Sequence, residues 1–281
     1  MPASAAFFNI EAAEANTAAV KSILDTQLVK IENILQIDFP ETVTVVIADN
    51  IQSFEAALGG NFPDWGAAAA IKKKKLIVVK SPDFFPVGKT IDELLGHELA
   101  HLMLDHAAGG RWLPRWFEEG FCQMISGEWR LSTDILVTRA VWGSGLLPLT
   151  ALENVNYFGS AKASLAYAQS YLAVASLVRE FGIEFIPDFL GRYKQTANIY
   201  ESFFNATGYR YSEWINLWQQ KTSQKYRLVL YIFDPSILFP LIAVLFIILF
   251  LIKTYYTRKK KKQWELEEKY GGRDESLTAP D

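Results

Sequence analysis

Cysteine is all but missing from this chain of 281 residues, where Cys122 stands alone. A single cysteine closes no intramolecular disulfide and builds no thiolate metal site. The redox compartment is left open. Histidine is nearly as scarce, with three residues, and there is no basic excess, since the formal net charge is -3 at pH 7. A phosphate-binding surface normally carries such an excess, so nucleic acid is not an expected partner. Internal repeats and low-complexity linkers are also lacking. What is present is apolar material: half of the residues are hydrophobic, which suffices for one large or two small cores.

Uncharged apolar runs of membrane length are absent except at one place. Ile237 to Ile252 reads ILFPLIAVLFIILFLI, and with Pro235 and Ser236 it reaches 18 residues without a charge. That is about the minimum for a helix crossing ~30 Å of hydrocarbon. A core helix of this length normally keeps a polar stripe, and Tyr255 and Tyr256 stand where an interfacial belt belongs. Residues 235–254 are therefore expected to form a single transmembrane helix. Lys253 and the run Arg258 to Lys262 outnumber Lys221, Lys225 and Arg227 on the other flank. By the positive-inside tendency the tail, 255–281, is cytoplasmic and the domain formed by 1–230 is extracytoplasmic, periplasmic or at the cell surface. The opening MPASAAFFNIEAAEANTAAV shows neither a basic n-region nor an apolar run of signal length. The expectation is a start further upstream that carries the export signal; the alternative is a tail-anchored protein with a cytosolic domain.

The soluble part reads as mixed α and β. Apolar positions from Ala12 to Leu35 fall at loosely helical spacing, and Thr42 to Ala48, TVTVVIA, is a β-branched strand. Ala67 to Ile71 and Leu76 to Val79 read as two strands joined by Lys72 to Lys75, a lysine run expected to be a solvated hairpin end. After Pro86 the pattern is helical as far as the membrane segment.

All three histidines lie in GHELAHLMLDH, Gly96 to His106. Residues four apart share one helix face, so His97 and His101 project together and can share one ion. Glu98 lies beside them, able to orient a water without being a ligand. This HExxH spacing serves zinc-activated hydrolysis, with the glutamate taking the proton of the water. Chance gives such a match in on the order of 1% of chains of this length. Two ligands do not hold a catalytic zinc. His106 is rotated off the face, and Asp105, though sterically conceivable, is better placed to end the helix.

HELAH followed at a distance by WFEEG resembles the gluzincin zinc metallopeptidases, and most closely their compact branch, the peptidase MA-like domain. The resemblance runs from about Phe7 to Trp218, with HELAH and WFEEG its specific parts. It implies an α+β fold, a small N-terminal mixed sheet followed by a helical lobe of thermolysin-like type. It implies Glu119 as third zinc ligand, with Glu118 its solvent-side neighbour, and one Zn²⁺ with an open fourth position. In AYAQSYLAVASLVREFG, Ala166 to Gly182, it implies Tyr167, or one turn on Tyr171, as the donor to the oxyanion. Where some gluzincins carry a carboxylate that orients a zinc histidine, this chain has Gln123, a neutral acceptor that would fix the imidazole tautomer with less electrostatic support. The aminopeptidase motif G-x-M-E-N is replaced by DWGAAAAI, which implies an endopeptidase acting on peptides or proteins, with the small-residue strand free to pair with an extended substrate. The alternative is a membrane-tethered, peptidase-like binding module without turnover.

Overall fold

The computed structural model describes residues 7–11, 14–60, 66–85, 88–128, 131–233 and 235–271. The segment before Phe7, the Ala12 start of the first helix, Asp64 and Trp65 of DWGAAAAI, Pro86 and positions 272–281 of the tail lie outside the described residues. The chain divides into two compact units, Met1–Tyr226 and Arg227–Asp281.

In the first unit a four-stranded mixed sheet is followed by helices. Strand β1 (Phe7–Glu11) leads into helix α1 (Glu14–Leu35), strand β2 (Thr42–Ala48) and helix α2 (Ile51–Leu58). Strands β3 (Ala68–Ile71) and β4 (Leu76–Lys80) complete the sheet in the order β1-β2-β4-β3, parallel except for β3, which runs antiparallel on β4. The parallel pairs need crossovers, and α1 supplies the first of them. Val43 and Val45 of β2 and Ile77, Val78 and Val79 of β4 are buried, as β-branched central strands should be. The sequence reading misses β1 and α2. FFNIE is short and only partly buried, so it carries little periodic signal, and its place comes from pairing with β2. The lysine run forms the hairpin end expected, with Lys73 and Lys74 exposed, and only Lys72 departs from the solvated reading. Lys72–Lys74 form a 3₁₀ turn and Lys75 is left-handed (φ 49°), and Lys72 is tied into the helical lobe, as described below.

Helix α3 (Ile91–Ala107) begins with a capping box: Thr90 Oγ1 accepts from the Glu93 N–H at 3.2 Å, and Glu93 Oε2 accepts from the Thr90 N–H at 2.8 Å. From Leu94 to Leu104 every residue is buried, because the helix is enclosed by α1, the sheet and helix α4 (Arg115–Ser126). Helix α5 (Leu131–Trp142), a 3₁₀ segment (Leu149–Tyr157), helix α6 (Ser160–Phe181), α7 (Phe185–Thr196), α8 (Ile199–Thr207) and α9 (Tyr211–Phe233) follow. One core runs from the sheet into the helices, with Trp116, Phe117 and Phe121 of α4 among its largest fully buried side chains.

The glycine of WFEEG has a packing reason. A Cβ on Gly120 would stand 2.1 Å from the Ser170 carbonyl oxygen and 2.6 Å from Val174 Cγ2, so α4 and α6 approach at a distance only hydrogen allows. We expect Gly120→Ala to cost about 3 kcal/mol or more in a urea melt, at the upper end of overpacking effects, because the obstacle is backbone rather than a flexible side chain.

In the second unit helix α10 (Pro235–Gly271) spans 37 residues, about 55 Å at the usual rise. Within it Phe239–Tyr270 is long and apolar enough to cross a membrane, and none of its apolar window is buried.

Candidate metal centre

His97 and His101 stand one turn apart on α3, their ring centroids separated by 5.0 Å and their planes by 66°. Facing them from α4 is Glu119, 2% exposed. Its Oε2 lies 3.3 Å from His97 Nε2 and 3.6 Å from His101 Nε2. Among the described residues no hydrogen bond reaches this buried oxygen. Donors held ~2.0–2.1 Å from a tetrahedral zinc stand about 3.3 Å from one another. Both His–Glu separations thus match an edge of such a site, and a buried carboxylate oxygen without a hydrogen bond is what a cation would satisfy. Two imidazoles and one carboxylate are also a donor set that suits a hydrolytic zinc with one open position.

Arg115, one turn before Glu119, donates from Nη2 to Glu119 Oε1 at 2.6 Å and approaches Glu118 Oε2 at 3.6 Å. Burial works against a charge on Glu119, but Arg115 and the imidazoles outweigh it and hold the carboxyl well below the usual range. Glu118 is buried rather than solvent-facing, and Lys72 from the β3–β4 turn meets its Oε1 at 2.5 Å. Glu98 is buried beside the imidazoles; burial, together with Glu119, raises its pKa against the pull of His97 and His101.

The supporting carboxylate comes from a position the sequence reading did not single out. Gln123 lines the cleft, yet the acid that meets His97 Nδ1 is Glu128, whose Oε1 is 2.8 Å away and whose Oε2 accepts from Lys89 Nζ at 2.5 Å. Burial disfavours a proton on His97, but Glu128, with Glu119 and Glu98, overrides it and lifts the imidazole to about 10. Glu128 in turn, despite burial, is lowered to about 2 by His97 and Lys89. This lowered carboxyl stabilises the metal-free fold fully above pH ~4.5 and loses that contribution as pH falls towards 2. With chelator present, wild type should be about 3 kcal/mol more stable than Glu128→Gln at pH 6, and the two should converge near pH 2 in urea melts.

Cys122 is a second residue missed. Its Sγ and a ring nitrogen of each of His97 and His101 lie within 4.8 Å of one another. Its place one turn after Glu119 on α4 was the available signal. Burial, with Glu119 and Glu118 beside it, pushes the thiol well above its ordinary value.

The centre opens on a cleft of about 850 Å³. One wall is the small-residue edge of the sheet, Ala67 to Ala70; the other includes Tyr167 of α6 and Ile135, Leu136 and Arg139 of α5. Tyr167 is mostly buried, and burial together with the Glu119 charge raises its pKa, so the hydroxyl keeps its proton. Tyr171 is not among the cleft residues; burial and Asp134 raise its pKa. His106 sits away from the centre, with Nδ1 3.3 Å from Glu41 Oε1 and its ring edge-on to Phe39.

The family model described as the Peptidase MA superfamily matches residues 24–224, a span that contains every residue of this centre. A search among curated proteins finds no match.

Proposed function

The chain belongs to the Peptidase MA superfamily, and from that premise we propose that it is a membrane-anchored zinc endopeptidase. His97, His101 and Oε2 of Glu119 would hold the ion. The observation that carries this is the buried Oε2, without a hydrogen bond, at 3.3 and 3.6 Å from two Nε2 atoms.

A zinc ion held by these residues would supply a Lewis acid for the scissile carbonyl and for lowering the pKa of water. Glu98 takes the proton of the attacking water and later hands it to the leaving amine; its raised pKa suits a group that must both accept and return a proton. Tyr167, whose hydroxyl keeps its proton, donates a hydrogen bond to the developing oxyanion. Of the two candidate tyrosines, its place in the cleft favours it over Tyr171. The edge of β3 pairs with an extended peptide, since an outer strand has backbone groups to spare and alanines leave the substrate room.

Residues 1–230 form the peptidase domain, 235–254 the membrane span and 255–281 the tail. The basic run Arg258 to Lys262 supports a cytoplasmic tail and an extracytoplasmic catalytic domain. The test is incubation of the purified full chain in detergent with a mixed peptide pool. Internal cleavage that stops with chelator and returns with zinc is expected; retention of peptides without cleavage would mark a binding module instead.

A further inference from the structure

Resting on the zinc reading of His97, His101 and Glu119, one further assignment concerns the loop that follows α4. Gly127, left-handed at φ 73°, turns the chain back, and the Glu128 N–H returns to the Gln123 carbonyl at 3.3 Å. This turn delivers Glu128 to the rear of His97, where Oε1 meets Nδ1 at 2.8 Å and also accepts from Ser126 Oγ at 2.9 Å. Lys89, in the segment leading into α3, takes Oε2 at 2.5 Å. Glu128 is thus held on both oxygens by groups from either side, and its side chain is 10% exposed.

We propose that Glu128 is the positioning residue of the metal centre, fixing the tautomer and ring orientation of His97. A neutral imidazole carries its proton on one nitrogen and its lone pair on the other. A carboxylate accepting at Nδ1 keeps the proton there, which leaves the Nε2 lone pair directed at the space shared with His101 and Glu119. Gln123 would serve this role less well, because an amide oxygen lacks the charge that makes the bond strong and an amide nitrogen placed there would favour the wrong tautomer. Lys89 offsets the charge of Glu128 and steadies it without touching the imidazole.

The rival explanation is a strap: Lys89 and Glu128 simply join the start of α3 to the end of α4, and His97 is a bystander. Competition against a chromophoric chelator, with full-length chain in detergent, separates the two. Glu128→Gln should weaken zinc binding about 10- to 100-fold, the usual cost of losing such a partner. Glu128→Asp should recover part of it, and Lys89→Met should cost clearly less than Glu128→Gln. With only three histidines in the chain, the Nδ1–H of zinc-bound His97 is readily followed by NMR. It should be sharp and shifted downfield in wild type and lost to solvent exchange in Glu128→Gln. Equal losses in Lys89→Met and Glu128→Gln, or wild-type affinity in Glu128→Gln, would overturn the assignment while leaving the zinc site standing. A wild-type chain that takes no zinc would overturn both.

Discussion

Glu98→Gln should lower peptide hydrolysis by about 10²- to 10⁴-fold, the range contributed by a positioned proton-transfer group, while the bound zinc is retained. Glutamine copies the shape of the side chain but accepts no proton from water. Zinc retention follows from geometry, since the three converging donor atoms are His97 Nε2, His101 Nε2 and Glu119 Oε2 and none belongs to Glu98. Glu98 sits in a buried position where a neutral amide is tolerated at least as well as a charge. Cleavage assays on a peptide pool, paired with metal analysis of the same preparations, read both halves. Unimpaired turnover in Glu98→Gln would remove this residue from the chemistry.

Glu119 should behave differently, because its replacement strikes the metal and the fold together. Glu119→Ala leaves two imidazoles to hold the ion, and zinc affinity should fall by more than the roughly 10- to 100-fold that loss of a supporting partner costs. It also strips Arg115 of the carboxylate 2.6 Å away. Arg115 then keeps only Glu118, 3.6 Å away, and part of its side chain reaches solvent, so the weakened pairing should destabilise the protein by about 1–3 kcal/mol. Adding Arg115→Met removes the guanidinium. The double variant should regain much of the stability in urea melts and none of the zinc affinity. If stability and affinity returned together, Glu119 would be a structural ion-pair partner and not a ligand.

The parts of this site that could be read from sequence are those with a fixed spacing on one helix. His97 and His101 meet because four residues make one turn, and β2 was legible because every residue of TVTVVIA before its final alanine is β-branched. Glu119 was legible only through resemblance to other WxxEG segments, since nothing local says that α4 faces α3. The need for glycine at position 120 depends on Ser170, fifty positions on. Glu128 was invisible for the same reason: it lies in a turn without periodicity, 31 positions from the imidazole it meets. Lys72 read as a solvated lysine among four because the carboxylate it reaches, Glu118, is on a helix 46 positions away. Long-range pairing decided these places, and no window of sequence contains both partners.

Elemental analysis of the purified full chain, after removal of loosely held metal, addresses the central claim most directly. The convergence of two imidazoles and Glu119 Oε2 predicts one tightly held zinc ion per chain, absent from a variant with alanine at both His97 and His101. A wild-type chain that holds no zinc, or a double variant that holds as much as wild type, would contradict it.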